Sequence, residues 1–391
     1  MENKYYEMCK LMESSGFAQI ADNWGVLLML LIGGGLLYLA IAKKYEPLLL
    51  IPVAFGMILT NLPGAGLFNA SLFEGGAVQW NIFVENAGLL DYLYLGVQFG
   101  IYPCLILIGL GAMTDFSSLI ARPKYLILGA AAQLGIFVTY LCATGWGFTP
   151  EDAAAIGIIG GADGSIAIFL TPKLAPELLV PVAIVTYFCI ALMPVIQPPV
   201  MKLLTSDQER AIEMKPLRTV SKAEKIIFPI LVTVVVSLLL PKATTLIASL
   251  MLGNLMRECG VVERLAKTVQ NGMLNIITVF LGVTIGAAAT AENFLEVKTL
   301  IILALGFIAF ICGTAGGVLF AKVMNLFSKD KINPLIGSAG VSAMPMGAHV
   351  SQSVGQETNS GNFLLTQAMG PNAAGIIAAI VVAGFLLSVL G

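Results

Sequence analysis

The sequence predicts an all-α polytopic membrane protein, and two features of its composition point to this class. Of the 391 residues, 58% are hydrophobic and only 11% are charged, whereas a soluble domain carries roughly 25% charged residues. The mean hydropathy is +0.90, and apolar runs of membrane-spanning length recur along the chain. We therefore expect about ten transmembrane helices plus two re-entrant or broken segments in the cell (cytoplasmic) membrane.

The expected spans are apolar runs near the roughly 17–25 residues that cross a bilayer as a helix. Several are short or interrupted by Pro or Gly. In chain order they are 25–42, 48–62, 95–113, 125–146, 178–201, 226–240, 244–256, 274–289, 300–323 and 368–390. The first run is long enough to span and lacks a cleavage site, so no cleavable signal peptide is expected.

Charges at the ends of these runs orient the chain by the positive-inside rule. The loop 202–225 carries six Lys or Arg residues against four acids and is expected in the cytoplasm, whereas the connection 64–91 has acids but no Lys or Arg and is expected outside. The other expected cytoplasmic cations are Lys43, Lys44, Arg122, Lys124, the cluster within 257–267, Lys329 and Lys331. These positions agree only if the interrupted runs 153–170 and 333–349 do not fully cross.

A weak internal repeat organises the chain. The stretch LILIGLGAMTDF resembles VFLGVTIGAAATAENF, and each is followed by a span, an interrupted segment and a polar-marked span. The predicted topology runs the two copies in opposite directions, the inverted arrangement in which transporters place broken helices at the midplane. The expected units are an N-terminal region 1–94, a first repeat 95–201 with its broken segment 153–170, a loop and hairpin 202–273, and a second repeat 274–391 with its broken segment 333–349.

Asp163 is the strongest candidate for an ion ligand. It is the only acid in the interrupted run 153–170 and follows two glycines that weaken a regular helix. An ionisable residue inside the membrane is costly and usually functional, and a carboxylate with nearby carbonyls suits Na⁺ or H⁺. The alternative is that Asp163 only caps a half-helix.

The second interrupted segment offers neutral oxygen ligands and the only histidine of the chain. Asn333 and Ser342 flank its break, and their oxygens can bind an alkali cation without adding charge; packing between helices is the alternative. His349, which follows the break, can donate a proton or contact an anion, although an isolated histidine is often structural. Tyr187 and Asn372 mark the following spans of the two repeats, where a phenol and an amide would lie in the membrane.

The motifs of soluble catalysis are missing from the sequence. There is no P-loop, GxSxG, HExxH or dinucleotide fingerprint, which disfavours ATP hydrolysis by this chain. The six cysteines are scattered without a CxxC pair, which favours packing over metal or disulfide use. Composition and motifs by themselves indicate an ion-coupled transport protein, with no nucleic acid among its partners.

Four stretches carry a resemblance to a known family. They are GIIGGADGSIAIFLTPKLAPELL, GAMTDFSSLIARPKYLILGAAAQLGIF, GNLMRECGVVERLAKTVQN and INPLIGSAGVSAMPMGAHVSQSVGQETNSGNFLLTQAMGPNAAG. They resemble the β subunit of the sodium-translocating, biotin-dependent decarboxylases, which act on oxaloacetate, methylmalonyl-CoA, glutaconyl-CoA or malonate. The resemblance covers nearly the whole chain after about residue 47.

The resemblance implies a carboxybiotin decarboxylase that consumes an external proton and exports Na⁺. The implied partners are a carboxyltransferase α subunit, a biotin carrier domain that presents the carboxybiotin, a small membrane γ/δ subunit, the lipid bilayer and further copies of the chain. The implied catalytic residues are Asp163, Tyr187, Ser342 and His349, and the residues implied to contact carboxybiotin are His349 and Asn333. Those implied to bind Na⁺ are Asp163, Asn333, Gly337, Ser342 and Asn372.

One position departs from the family pattern. Where the family reads MxARV, with an arginine expected to hold carboxybiotin, this chain reads Met346-Gly347-Ala348-His349-Val350. Histidine is a weaker anion ligand than arginine and a pH-dependent one. The alternative function is therefore a Na⁺- or H⁺-coupled carrier of small organic anions in which His349 holds the carboxylate.

Overall fold

The fold is that of a computed structural model, which describes residues 23–328 and 330–391. Those residues form helices joined by turns and by irregular segments such as 211–221, with no β-strand among them. Cys9, one of the six cysteines, and Lys329 lie outside the described residues.

The N-terminal helices are α1 (Trp24–Ala42), α2 (Pro47–Thr60), α3 (Trp80–Asn86), α4 (Leu89–Gln98) and α5 (Ile101–Met113). The next group is α6 (Ser117–Ala121), α7 (Tyr125–Ala132), α8 (Leu134–Gly145), α9 (Pro150–Gly157), α10 (Gly164–Leu174), α11 (Leu179–Ala191) and α12 (Met193–Leu204). The connecting region contains α13 (Asp207–Arg210), α14 (Lys222–Leu239), α15 (Thr244–Cys259), α16 (Glu263–Thr268) and α17 (Leu274–Ala288). The C-terminal helices are α18 (Ala291–Phe294), α19 (Val297–Phe327), α20 (Leu335–Ser338), α21 (Met346–Thr358) and α22 (Leu365–Leu390).

The predicted helical membrane fold is confirmed, but the count of about ten spans is not. Within the described residues, five helices are long and apolar enough to cross a membrane, or up to seven if each of two bent pairs is one span. The bends are 65° between α4 and α5 and 63° across the α11–α12 pair. Other predicted spans fall short, since α2 has 14 residues and α15 has 16, while α14 begins with three charged residues in its first turn.

Both predicted broken segments are present. The first consists of α9, a 3₁₀ turn over Ile158–Gly161, a break at Ala162 and Asp163, and then α10. The second consists of the short α20, an irregular stretch 339–345, and then α21. Glycine and proline at these points explain the breaks, since neither residue supports a regular helix interior.

Close backbone contacts bury the broken segments within the protein. A Cβ added to Gly160 would lie 2.6 Å from the Gly135 carbonyl carbon, and one added to Gly337 would lie 2.1 Å from the Gly317 carbonyl oxygen. Only glycine permits such contacts. Residues 153–170 are accordingly buried throughout, which satisfies the rule that irregular backbone at membrane depth must be surrounded by protein or water.

The helices form two packed groups. The two broken segments pack with α7, α8, α11, α12, α19 and α22 in one large hydrophobic core. Helices α1, α2, α4, α5 and α17 supply a second core, packed tightly where an added Cβ on Gly286 would lie 1.9 Å from the Val53 carbonyl oxygen. The cavity described next is lined by residues from both groups. The unit boundaries and the inverted orientation of the repeats stay predictions.

Candidate functional site

Asp163 occupies the break of the first segment and begins α10. Ala162 adopts a left-handed φ of +51°, which turns the chain so that the next residue can cap the helix. Asp163 Oδ1 accepts hydrogen bonds from the backbone N–H groups of Ser165 at 2.9 Å and Ile166 at 3.2 Å. The residue is only 6% exposed. The carboxylate is thus a helix cap, as the structural alternative expected, with Oδ2 free of hydrogen bonds to the described residues.

The second break contacts the first directly. The Ser342 hydroxyl donates a hydrogen bond to the Gly161 carbonyl, two residues before Asp163. The Asn372 amide donates to the carbonyls of Ala339 at 2.9 Å and Val341 at 3.2 Å, so that α22 holds the irregular stretch in place. Asn372 Oδ1 has no hydrogen-bond partner among the described residues.

Tyr187 lies on α11 and crosses the N-terminus of α10. A Cβ added to Gly164 would lie 2.5 Å from the Tyr187 hydroxyl oxygen and 2.1 Å from the ring carbon Cε1. Glycine at position 164 therefore makes room for the phenol next to Asp163. The predicted carboxylate and phenol are neighbours in the fold although 24 positions separate them in the sequence.

A cavity of about 410 Å³ brings these groups together. The predicted residues that line it are Asp163, Tyr187, Ser342 and His349. Its opposite wall consists mainly of apolar residues from α2, α5 and α17, including Leu49, Leu110 and Leu274. A polar side facing an apolar side suits a small amphipathic ligand.

Two half-helices begin at this cavity. The N-terminal residues Gly164 and Ser165 of α10 and the N-terminal residue Met346 of α21 all line it. Helix N-termini carry partial positive charge and unsatisfied N–H groups, so that they favour anions. His349, in the first turn of α21, adds a side chain that can be cationic. The same cavity is therefore lined by an acid suited to a cation and by two helix N-termini and a histidine suited to an anion.

Three predicted residues lie elsewhere. Asn333 is fully buried, but its amide donates to the carbonyls of Arg210 at 2.7 Å and Ile212 at 2.9 Å in the charged loop. Gly337 packs against Gly317 of α19. Asn372 does not line the cavity and instead donates hydrogen bonds to the backbone of the second break. The roles assigned to these three residues stay predictions.

The cavity also contains polar residues that sequence reasoning missed. Glu46, Asn275 and Thr278 line it from the group opposite Asp163. Glu46 has a φ of +38° and precedes the first residue of α2. A signal for the other two was available, because positions 275 and 278 are three apart and share one face of a helix. Nothing in the sequence indicated that this face meets the first repeat.

The fold and the cavity define a class of protein. Two broken helices meet inside a bundle of apolar helices and combine a carboxylate, a phenol and a hydroxyl with two helix N-termini, an arrangement typical of ion-coupled transport proteins. The comparisons with known proteins are specific. A model of the family described as "Na+-transporting oxaloacetate decarboxylase beta subunit" matches residues 25–390.

Curated relatives extend over almost the entire chain. The methylmalonyl-CoA decarboxylase subunit beta of Propionigenium modestum is 57% identical over 387 residues, covering 97% of this chain and 98% of the relative. The glutaconyl-CoA decarboxylase subunit beta of Acidaminococcus fermentans is 50% identical, covering 98% of each. The oxaloacetate decarboxylase beta chain of Klebsiella pneumoniae is 50% identical, covering 93% of this chain and 94% of the relative.

The chain belongs to this family. It is the membrane β subunit of a Na⁺-transporting carboxylic acid decarboxylase, and it crosses the membrane several times, as the sequence predicted. Since its relatives are named as subunits, the family works in multi-subunit complexes.

Proposed function

We propose that this chain decarboxylates carboxybiotin presented by a partner carrier domain, takes up an external proton and exports Na⁺. The observation that carries the proposal is that Asp163, Tyr187, Ser342 and His349 line the same cavity. Decarboxylation breaks the N–C bond of carboxybiotin; CO₂ leaves, and the electron pair stays on the ureido nitrogen, which takes a proton. The chain must therefore hold an anion, a proton donor and a cation close together.

Access from the cytoplasm supports the presentation of carboxybiotin by a carrier domain. The cavity is lined by Glu46, which lies two residues beyond Lys44, and by Met113. The Met113 carbonyl accepts a hydrogen bond of 2.8 Å from Arg257. Lys44 and Arg257 are cations that the positive-inside rule assigns to the cytoplasm. The cavity thus lies near the face where a cytoplasmic partner would dock.

The charge pattern supports a shared site for both ions. His349 and the N-terminus of α21 favour the carboxylate, while Asp163 with nearby hydroxyl and carbonyl oxygens suits Na⁺. Tyr187 lies against Gly164, beside Asp163, where a phenol can orient the carboxylate or relay a proton. Loss of the substrate's negative charge then alters the field at the cation, which is a physical means of coupling the reaction to Na⁺ release.

A second cavity supports an exit on the outer side. It has a volume of about 790 Å³ and is lined by residues of the predicted external connection and by Glu177, Glu292, Glu296 and Lys298. It lies beyond the C-terminal end of α10, whose 11 residues span about 16 Å. Asp163, at the other end of this helix, would be separated from it by a layer of packed protein of that thickness.

The proposed partners are the carboxyltransferase α subunit, the biotin carrier domain and a small membrane γ/δ subunit, in a complex with several copies of this chain. The partner subunit, and not this chain, would choose the acid that is decarboxylated. The cofactor of this scheme would be carried by the partner as carboxybiotin, and Na⁺ would be the transported ion.

The proposal is tested with the purified full-length chain in lipid vesicles. Free carboxybiotin is added, and CO₂ release is measured against NaCl concentration, with choline chloride holding ionic strength constant. We expect Na⁺-dependent CO₂ release from the wild type and almost none from Asp163→Asn. Asp152→Asn is the control, because Asp152 is a half-exposed acid in the first turn of the neighbouring α9.

Three results would contradict the proposal or a part of it. Absence of CO₂ release from the wild type would contradict the proposed decarboxylase activity. Uptake of an intact carboxylate together with Na⁺ or H⁺, measured with a radiolabelled organic anion, would favour the carrier alternative. Equal activity of the wild type and Asp163→Asn would remove Asp163 from the mechanism.

A further inference from the structure

Gln133 is a buried polar residue in the middle of a membrane span, and the site described above does not account for it. It separates α7 from α8 within the span Tyr125–Gly145 and is only 2% exposed. A polar side chain at this depth is costly, and it is retained either to join helices or to bind a transported species.

Hydrogen bonds fix the orientation of its side chain. Gln133 Nε2 donates to the carbonyl of Gly129 and to the carbonyl of Gly375 on α22, both at 3.2 Å. Exchanging the amide nitrogen and oxygen would point Oε1 at two carbonyl oxygens, which is repulsive. The Oε1 atom therefore points away from both carbonyls. It is buried and has no hydrogen-bond partner among the described residues.

The unpartnered oxygen faces the first break. A Cβ added to Gly161 would lie 3.6 Å from Gln133 Oε1. The carbonyl of Gly161 accepts the Ser342 hydroxyl, so that the second break is attached at the same residue. A Cβ added to Gly340, just before that contact, would lie 2.8 Å from the Ala132 Cβ. Gln133 thus lies where both broken segments meet the α7–α8 junction.

Packing between helices explains only half of this side chain. The bonds from Nε2 to Gly129 and Gly375 would join α7 to α22 whatever the opposite atom contacts. They give no reason to bury an acceptor oxygen without a donor, which is unfavourable in a membrane interior. Asn372 repeats the pattern on the other side, since its nitrogen donates to the second break while its Oδ1 has no partner among the described residues.

We propose that Gln133 Oε1 is a further oxygen ligand for Na⁺ on its way through the crossing of the two broken segments. The inference rests on the proposed function, in which Asp163 binds that ion. A neutral amide oxygen suits a monovalent cation, because it adds coordination without a second charge to compensate. Gln133 would hold the ion from a helix outside both broken segments.

Na⁺ binding is measured on the purified full-length chain without partner subunits. A ligand that binds only the folded state stabilises it by RT ln(1 + [L]/Kd), so the rise of the unfolding temperature as NaCl replaces choline chloride gives an apparent Na⁺ affinity. We expect Gln133→Leu to weaken that affinity about tenfold. Gln133→Glu keeps an oxygen at this position and loses the amide donor. We expect this variant to bind Na⁺ more tightly than Gln133→Leu at alkaline pH, and to bind Na⁺ less tightly as the new carboxylate becomes protonated.

Asn254→Leu is the matched control. Asn254 is 1% exposed, and its amide likewise donates to two backbone carbonyls, those of Gly111 at 3.4 Å and Thr114 at 2.9 Å, while its Oδ1 has no partner among the described residues. It lies on α15 and bonds to α5 and Thr114, whereas Gln133 Oε1 faces the first break at Gly161. We expect Asn254→Leu to lower the unfolding temperature in the absence of Na⁺ and to leave the Na⁺ affinity unchanged.

The possible outcomes separate the two proposals. A wild type without Na⁺-specific stabilisation, or an Asp163→Asn variant with an undiminished Na⁺ response, would overturn the ion site of the proposed function itself. A wild type that responds, together with wild-type affinity in Gln133→Leu, would overturn the role of Gln133 alone. If Gln133→Leu does not fold, Gln133→Glu decides: a Na⁺ affinity equal to that of the wild type at every pH would contradict ligation by this residue.

Discussion

The Ser342 hydroxyl donates a hydrogen bond to the Gly161 carbonyl, and this bond joins the break of the second half to that of the first. It lies two residues before Asp163, the acid that caps α10. Any displacement of one broken segment is therefore transmitted to the backbone that positions the carboxylate. Residues 181 positions apart in the sequence thus form one local structure.

Replacing Asp163 with asparagine separates its charge from its capping role. Asparagine caps a helix about as well as aspartate, so Asp163→Asn should change the free energy of unfolding by less than about 0.5 kcal/mol. Activity should fall by at least roughly 10–100-fold, the cost typical of mutating even an indirect neighbour of a bound metal ion. The measurements are CO₂ release and thermal unfolding in detergent.

Asp163→Ala provides the comparison, since it removes both the charge and the cap and should cost roughly 0.5–2 kcal/mol of stability. Suppose instead that Asp163→Asn is active, while Asp163→Ala is inactive because it does not fold. The carboxylate would then be a helix cap and nothing more.

Gly164→Ala tests the contact between α10 and Tyr187. The new methyl group would overlap the phenol ring, at 2.1 Å from Cε1, and overpacking of this kind typically costs about 1–3 kcal/mol. Because Tyr187 must move away from Asp163, turnover should fall more than tenfold. CO₂ release and the unfolding temperature are measured together.

Gly145→Ala is the control for this substitution. Gly145 ends α8, and an added Cβ would meet nothing within 4 Å. It should retain activity and keep or slightly raise stability. Equal activity of both glycine variants would show that the position of Tyr187 is unimportant.

His349→Arg should retain or raise activity and flatten its dependence on pH. Arginine keeps its charge at all relevant pH values and offers a fixed fork of donors to a carboxylate, whereas the charge of an imidazole depends on pH. The test is CO₂ release between pH 6 and 9. His349→Gln, which cannot carry charge, should be less active than the wild type at low pH.

If His349→Arg abolished turnover in a protein that still folds, His349 would have a role, such as proton transfer, that arginine cannot fulfil. An unchanged pH profile in both variants would place the pH-dependent group elsewhere.

Asn333→Ala and Asn362→Ala together decide whether Asn333 acts as a ligand. The amides of both residues donate to the carbonyls of Arg210 and Ile212, so each loss should cost about 1–3 kcal/mol. Since Asn333 Oδ1 already accepts a hydrogen bond from the Leu335 N–H at 3.1 Å, we expect both variants to be less stable and to keep near wild-type Na⁺ affinity. A weaker Na⁺ affinity in Asn333→Ala alone would support the ligand role that the sequence predicted.

The broken segments were predictable because their chemistry is local. Gly160 and Gly161 disfavour a regular helix before Asp163, and Pro345 does so in the second segment. An acid within an apolar run is conspicuous in any membrane sequence. The span count was less predictable, because α4–α5 and α11–α12 bend by more than 60° at residues whose apolar character is unchanged. Hydropathy shows how long and how apolar a segment is, but not where its helix axis bends.

The amino-acid sequence predicts the class of protein and the two helix breaks, and it points to Asp163, Tyr187, Ser342 and His349 as candidate site residues, a role that stays a prediction. Only the tertiary structure brought them into one cavity, added Glu46, Asn275 and Thr278 to it, and put Asn333 at the charged loop instead. The physical reason is that helix breaks follow from single residues, whereas the meeting of two breaks depends on glycine contacts between helices distant in sequence. Those contacts are invisible until the backbones are packed.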